Sequence, residues 1–253
     1  MTRLTRSPAS LLASMATALI AGGAHAVVVL GNGDSINLGA LMSPTSDRTV
    51  IVNDKMFVFE SFSSSQFDAG LFSVIGFVSA ATNQWGLHNV GFDLTGPFGD
   101  GSPGNGGMSE MNLQYTVEVL PEFYARDVRL CDTALAFNGS AGGTGSFSRV
   151  DETVFDLDHN QFLGNLSAFW NAGPPPEWRL SDYANWCELT GAHGFRALEI
   201  NKDLKFFANG ANGFSTASFV RQEFSQIMAP APGALALLAA GGILGARRRR
   251  GNA

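Results

Sequence analysis

Residues 111–120 read MNLQYTVEVL, and the spacing inside them decides the fold. Leu113, Tyr115, Val117 and Val119 recur every second position, so an extended chain places all four on one face and polar neighbours on the other. The same two-residue period spreads outward in both directions. Upstream, VIVNDKMFVFESF (residues 50–62) sets Phe57, Phe59 and Ser61 against Met56, Val58 and Glu60. LFSVIGFVSA (71–80) and WGLHNVGFDL (85–94) follow as short strands, and downstream come VRLCDTALAF (128–137) and SFSRVDETVFDL (146–157). A short strand over Leu166–Trp170 and three segments of the final third, residues 177–189, 195–208 and 215–227, complete the set. Between them lie turn-forming stretches. These are the glycine- and proline-rich Thr95–Glu110, the NGSAGGTG of residues 138–145, and Gly173-Pro174-Pro175-Pro176, which reads as a polyproline corner.

No segment keeps a helical period over three turns; Ser181–Trp186 is at most one turn of helix. Many short alternating strands at this spacing specify an all-β fold, a single antiparallel β-sandwich of jelly-roll-like form over residues 27–228. About 200 residues suffice for one such domain with a substantial core. The 20 phenylalanines and 30 glycines suit strands joined by tight turns.

The two ends differ from this body. Arg3 and Arg6, the apolar Leu11–Gly23 and the small-x-small Ala24-His25-Ala26 make residues 1–26 a signal peptide with cleavage after Ala26. The chain closes MAPAPGALALLAAGGILGARRRRGNA (228–253). Pro230-Ala231-Pro232 precedes an apolar segment, residues 233–246, which would span about 21 Å as a helix against a hydrocarbon core of about 30 Å. Arg247, Arg248, Arg249 and Arg250 then fix the cytoplasmic side. The expected organisation is an N-terminal signal helix, an external body and a short C-terminal transmembrane helix.

The tail resembles the PEP-CTERM sorting signal of exported bacterial proteins, with Ala231 where that family most often carries Glu. The resemblance implies processing by signal peptidase and an exosortase-type enzyme, with the inner membrane as a transient partner through the tail. It implies release or attachment at the cell surface, in the company of extracellular polysaccharide. Val52–Ser65, Leu113–Leu120, Leu135–Phe155 and Ser218–Ile227 also resemble stretches of PEP-CTERM ectodomains, which implies a β-sandwich and adds no catalytic residue.

Two of the 16 Lys and Arg residues lie in the signal peptide and four in the tail, so ten cations face 22 carboxylates in the body. A body that acidic excludes nucleic acid as a partner, because phosphate neutralisation needs a basic surface. Cys131 and Cys187, both on expected strands, are disulfide candidates outside the cytoplasm; two independent buried thiols are the alternative. Asp156, Asp158 and Asn160 alternate like the first ligands of a calcium loop, but Gln161 and Ser167 stand where an EF-hand needs Gly and Glu. That leaves a looser calcium site with Glu152, or a solvated turn. His88, His159 and His193 lack zinc spacing, no Gly-x-Ser-x-Gly is present, and adjacent Asp151 and Glu152 must point to opposite faces of a strand. No cofactor is expected.

Trp170, Trp178, Tyr183 and Trp186 fall within 17 residues around the prolines. Exposed on one rim they would stack on sugar rings; buried they would fill a core corner. The leading expectation, implied by the PEP-CTERM resemblance, is a non-enzymatic surface or matrix protein with a structural or adhesive role. A carbohydrate-binding module and a polysaccharide-active enzyme are the alternatives.

Overall fold

The computed structural model describes residues 26–101 and 107–228. Residues 1–25 of the expected signal peptide, with Ala24, residues 102–106, and the expected sorting tail with Pro230, Ala231, Pro232, the apolar segment and Arg247–Arg250 lie outside the described residues. Among the described residues no helix is long and apolar enough to cross a membrane.

Among the described residues fifteen strands run in the order β1 (Val28–Leu30), β2 (Ser35–Asn37), β3 (Thr49–Val52), β4 (Lys55–Ser64), β5 (Ser73–Thr82), β6 (His88–Asp100), β7 (Ser109–Val119), β8 (Val128–Phe137), β9 (Ser140–Gly142), β10 (Ser146–Asp156), β11 (Gln161–Ala172), β12 (Glu177–Arg179), β13 (Ser181–Asn185), β14 (Ala197–Phe207) and β15 (Phe214–Met228). Two short α-helices among the same residues join them, α1 (Leu38–Leu41) and α2 (Trp186–Thr190). The first sheet is ordered β1-β3-β4-β7-β14-β10-β11-β12; the second is ordered β13-β8-β15-β6-β5-β2, with β9 also pairing with β15. Pairing is antiparallel throughout except for β1 on β3, which is parallel and departs from the wholly antiparallel expectation. The chain repeatedly changes sheet between consecutive strands, so the two layers are sewn together into an all-β sandwich.

Alternation places the core as the sequence implies. Leu113, Tyr115, Val117 and Val119 are buried on β7, as are Phe57 and Phe59 on β4. Phe57 meets Phe92 edge-on at 5.4 Å, Phe92 meets Tyr115 at 5.2 Å, and Phe224 closes on Phe57 at 5.9 Å. A second aromatic group gathers Phe72, Phe98 and Phe206, with Phe72 and Phe98 at 4.7 Å.

Three segments depart from the sequence reading. The Thr95–Glu110 loop is shorter than its composition suggests, because β6 continues to Asp100 and β7 starts at Ser109. Gly96 serves close packing: a Cβ there would lie 2.2 Å from the Phe72 ring. The strand expected at Leu166–Trp170 runs from Gln161 to Ala172, forming a hairpin with β10 around the Asp156–Asn160 turn. Residues 177–189 are not one strand but β12, β13 and α2, with Asn185 capping the helix by accepting from the Glu188 amide. Cys187 therefore lies in α2 rather than on a strand; it is disulfide-bonded to Cys131 of β8, with Cα atoms 5.2 Å apart.

Candidate functional site

β13, β8, β15, β6 and β5 lie side by side in the second sheet, and their registers align two outward-facing rows across it. One row runs Tyr183, Ala134, Glu223, Gly91, Phe77; the next runs Ser181, Ala136, Arg221, Asp93, Ile75. Alternation sends Thr133, Leu135, Gln222 and Phe224 inward, leaving these ten positions on the outside. Four strand spacings of about 4.8 Å separate the two aromatic ends, a platform of about 19 Å.

The middle of the platform is low because its residues are small. Ala134 and Ala136 contribute only methyl groups, and Gly91 admits no side chain, since a Cβ there would sit 1.8 Å from the Gln222 carbonyl oxygen. Above this floor Arg221 donates to both Asp93 oxygens at 2.7 and 2.8 Å and lies 4.1 Å from the Phe77 ring centroid. The paired carboxylate stabilises the guanidinium charge and raises its pKa. Glu223 is pushed upward, chiefly by burial, against the opposing pull of Arg221. The groove bounded by Ala134, Ala136, Ser181, Asp182, Tyr183, Arg221 and Glu223 encloses about 410 Å³.

The edge is built by β13. Tyr183 is 58% exposed, and its hydroxyl donates to Asp132 at 2.9 Å, which fixes the ring while leaving it open to solvent. Burial and that bond to a carboxylate push the phenol up to about 12. Asp132 also accepts from the Ser225 amide, and Asp182 accepts from the Ser167 amide and pairs with Arg179 at 3.3 Å. The carboxylates at this edge are thus held as oriented acceptors. The arrangement offers an open aromatic face beside a shallow groove edged with fixed oxygen acceptors and a guanidinium, which suits a polyhydroxylated ligand that stacks by its apolar face.

No family model and no curated protein matches the chain. Among solved structures it is similar to TmCBM61 in complex with β-1,4-galactotriose, at 12% identity over 60% of this chain and 86% of that one, with a TM-score of 0.27. It is similar to the carbohydrate-binding module TmCBM27, described for mannan recognition, at 10% identity over 75% and 95% of the two chains and a TM-score of 0.26. It is also similar to a DUF4465 family protein from Bacteroides caccae, at 12% identity over 64% and 86% and a TM-score of 0.23. At these scores the ligand of this chain has to be read from its own side chains.

The aromatic cluster expected around the prolines separates into three settings. Trp178 is 55% exposed and stacks on Trp170 at 5.0 Å and 17°, forming an open pair at the edge of the first sheet. Tyr183 belongs to the platform on the second sheet. Trp186 is 2% exposed: its indole N–H donates to the Thr133 hydroxyl at 3.0 Å and its ring lies over Gly164, so it is a core residue and not a stacking surface. It stands three positions after the outward Tyr183, so a continued strand would also have turned it away from that face.

The acidic turn also resolves into its own hydrogen bonds. Asp156 is buried and accepts from the Asp158 amide at 2.9 Å and contacts the His159 ring at 2.6 Å, while Asp158 accepts from the Arg196 amide. Asn160 takes the left-handed conformation, φ 50°, that closes the hairpin. Among the described residues no group of three or more His, Cys, Asp or Glu is placed to hold a metal. Glu152 does not join this turn: it points into the core while Asp151 faces out, as their adjacency requires.

Arg221, Glu223, Asp182, Asp132 and Phe77 were not singled out by the sequence. An outward charge on a central strand is ordinary, and only the register shows that these residues meet.

Proposed function

We propose that this chain is an exported, non-catalytic surface or matrix protein that holds polysaccharide on the outer face of its second sheet. The observation that carries the reading is the aligned row Tyr183–Ala134–Glu223, an open ring beside a floor of small residues with charged hydrogen-bonding groups above it. A platform of about 19 Å suits a run of linked sugars rather than a single one. Trp178, stacked on Trp170, offers a further ring at the neighbouring edge.

Export rests on the signal peptide, with cleavage between Ala26 and Val27, and the Cys131–Cys187 bridge supports it, since such bonds persist outside the cytoplasm. The tail from Pro230 to Arg250 would be sorted by an exosortase-type enzyme and held transiently by the inner membrane. The test of binding is affinity electrophoresis of the purified body against a broad panel of soluble polysaccharides. Retardation by at least one polymer, markedly weakened on Tyr183→Ala, is the expected result. Absence of retardation across the panel would overturn the reading.

A further inference from the structure

Between the two sheets lies a polar group that the binding face does not use. Lys202 on β14 and Glu152 on β10 belong to the first sheet, and Gln222 on β15 to the second. All three are buried: Lys202 Nζ donates to Glu152 Oε2 at 2.5 Å and to Gln222 Oε1 at 2.7 Å. The set is incompletely satisfied. Glu152 Oε1, the Gln222 amide nitrogen and the nearby buried Tyr115 hydroxyl have no hydrogen-bond partner among the described residues. An ion pair in a dry core with spare lone pairs and donors is poorly compensated.

From this juxtaposition of amine, carboxamide and carboxyl we propose that Lys202 and Gln222 become joined by an intramolecular isopeptide bond, formed without another protein and assisted by Glu152. Proton transfer along the Lys202–Glu152 contact converts ammonium and carboxylate into amine and carboxylic acid. Burial favours that direction, and it lowers the Lys202 pKa against the opposing pull of Glu152. The Nζ lone pair then attacks Cδ of Gln222, a displacement that needs the atoms about 3–3.5 Å apart. A Nζ–Cδ bond forms and the Cδ–Nε2 bond breaks. Glu152 gives its proton to the departing nitrogen and takes one from Nζ, so Lys202 amine and Gln222 carboxamide yield a secondary amide and one ammonia. Tyr115, its pKa raised by burial and by the Glu152 charge, remains neutral and is the nearby hydroxyl donor for the oxyanion. The product replaces a buried ammonium with a neutral amide and ties one sheet covalently to the other.

A comparable set supplies the contrast. Lys55 contacts Asp54 at 2.8 Å and also donates to Gln226, but there the carboxamide nitrogen is engaged by the His88 carbonyl at 3.0 Å. The leaving group is held in place at Gln226 and unpaired at Gln222, which selects the Lys202 set.

The test is intact mass of the denatured full chain as purified from cells, followed by tryptic mapping. The expected chain is lighter by one ammonia than its ends require. The digest contains a branched peptide joining Ala197–Lys205 to the peptide that begins at Gln222, with no cleavage after Lys202. Glu152→Gln, confirmed folded by circular dichroism, should keep the ammonia and give linear peptides. Lys202→Met, which preserves the apolar stem, should do the same. A wild-type chain of full mass with normal cleavage after Lys202 overturns the proposal even if neither variant folds. An ammonia deficit mapping to a succinimide at Asn138-Gly139 or Asn209-Gly210 overturns it equally. A branched peptide that persists in folded Glu152→Gln removes Glu152 from the reaction.

Discussion

Replacing Tyr183 by alanine removes the ring that stands open at the edge of the platform. A tyrosine side chain presents about 200 Å². With 58% of the residue exposed, about 115 Å² is available, and a sugar ring laid on one face would cover about 60 Å² of it. At about 25 cal/mol per Å² that contact is worth about 1.5 kcal/mol, or about tenfold in Kd. The buried remainder, about 85 Å², contributes up to about 2 kcal/mol to folding, so the variant should remain folded with a lowered melting temperature. Tyr183→Phe separates the ring from the hydroxyl. It loses the bond to Asp132, which still accepts from the Ser225 amide, and should bind within about twofold of wild type. The assay is isothermal titration with the polysaccharide that retards the protein most strongly, at a temperature where both variants are folded. If folded Tyr183→Ala binds as tightly as wild type, the ring is not in the site and the platform reading fails.

Trp186→Ala should cost about 3–5 kcal/mol in urea unfolding, because it empties a core position and strands the Thr133 hydroxyl; a loss below about 1 kcal/mol would contradict its burial. Removing the disulfide by Cys131→Ala with Cys187→Ala opens a 56-residue loop and should destabilise by about 4 kcal/mol. An unchanged urea midpoint would show that the bridge is not formed. Stability should also depend on alkaline pH through Lys55. Burial lowers its pKa from 10.5 to about 8, outweighing the adjoining Asp54. The unfolded chain therefore binds more protons between these values, and stability should rise with pH from about 8, by up to about 3 kcal/mol before tyrosine ionisation intervenes. Above about pH 10 the raised Tyr115 and Tyr183 retain protons that the unfolded chain loses, so the slope should reverse. Urea midpoints that fall between about pH 8 and 9.5 would refute the Lys55 assignment.

Alternation made the sandwich legible because it is a property of each strand alone: Leu113, Tyr115, Val117 and Val119 had to share the dry face whatever they paired with. The same rule held a signal that went unread. Glu152 has the parity of Val150 and Val154, Lys202 that of Ile200 and Leu204, and Gln222 that of Val220 and Phe224, so three polar side chains occupy inward positions. A charge at such a position calls for a partner across the core. Segment boundaries were less legible. Glycine and proline raise the turn propensity of residues 95–110, yet Gly96 is there to admit the Phe72 ring, a tertiary demand that local composition cannot state. The Asn185 cap was equally local in form, but the inward direction of Trp186 could be read only once Tyr183, three positions earlier, was known to face out.

The proposed binding face was hidden for a different reason. Its two rows draw single residues from five strands spread between Ile75 and Glu223, and no pair of platform residues from different strands is close enough in sequence to suggest a motif. What aligns them is register, and β15 breaks its regular register twice, between Ala217 and Phe219 against β6 and between Ser225 and Gln226 against β8. A bulge adds one residue on one strand and reverses which side chains face out beyond it. Arg221 and Glu223 lie between the two irregularities, in the stretch where β15 is in simple register with both neighbours. The first irregularity lets β15 keep Ala217 buried although it shares the parity of the outward Arg221 and Glu223; at the second the extra residue is Cys131 of β8, and Gln226 keeps the inward parity of Gln222 and Phe224. The floor of the site is therefore set by where the sheet interrupts its own alternation, information that resides in strand pairing and not in any one segment of the chain.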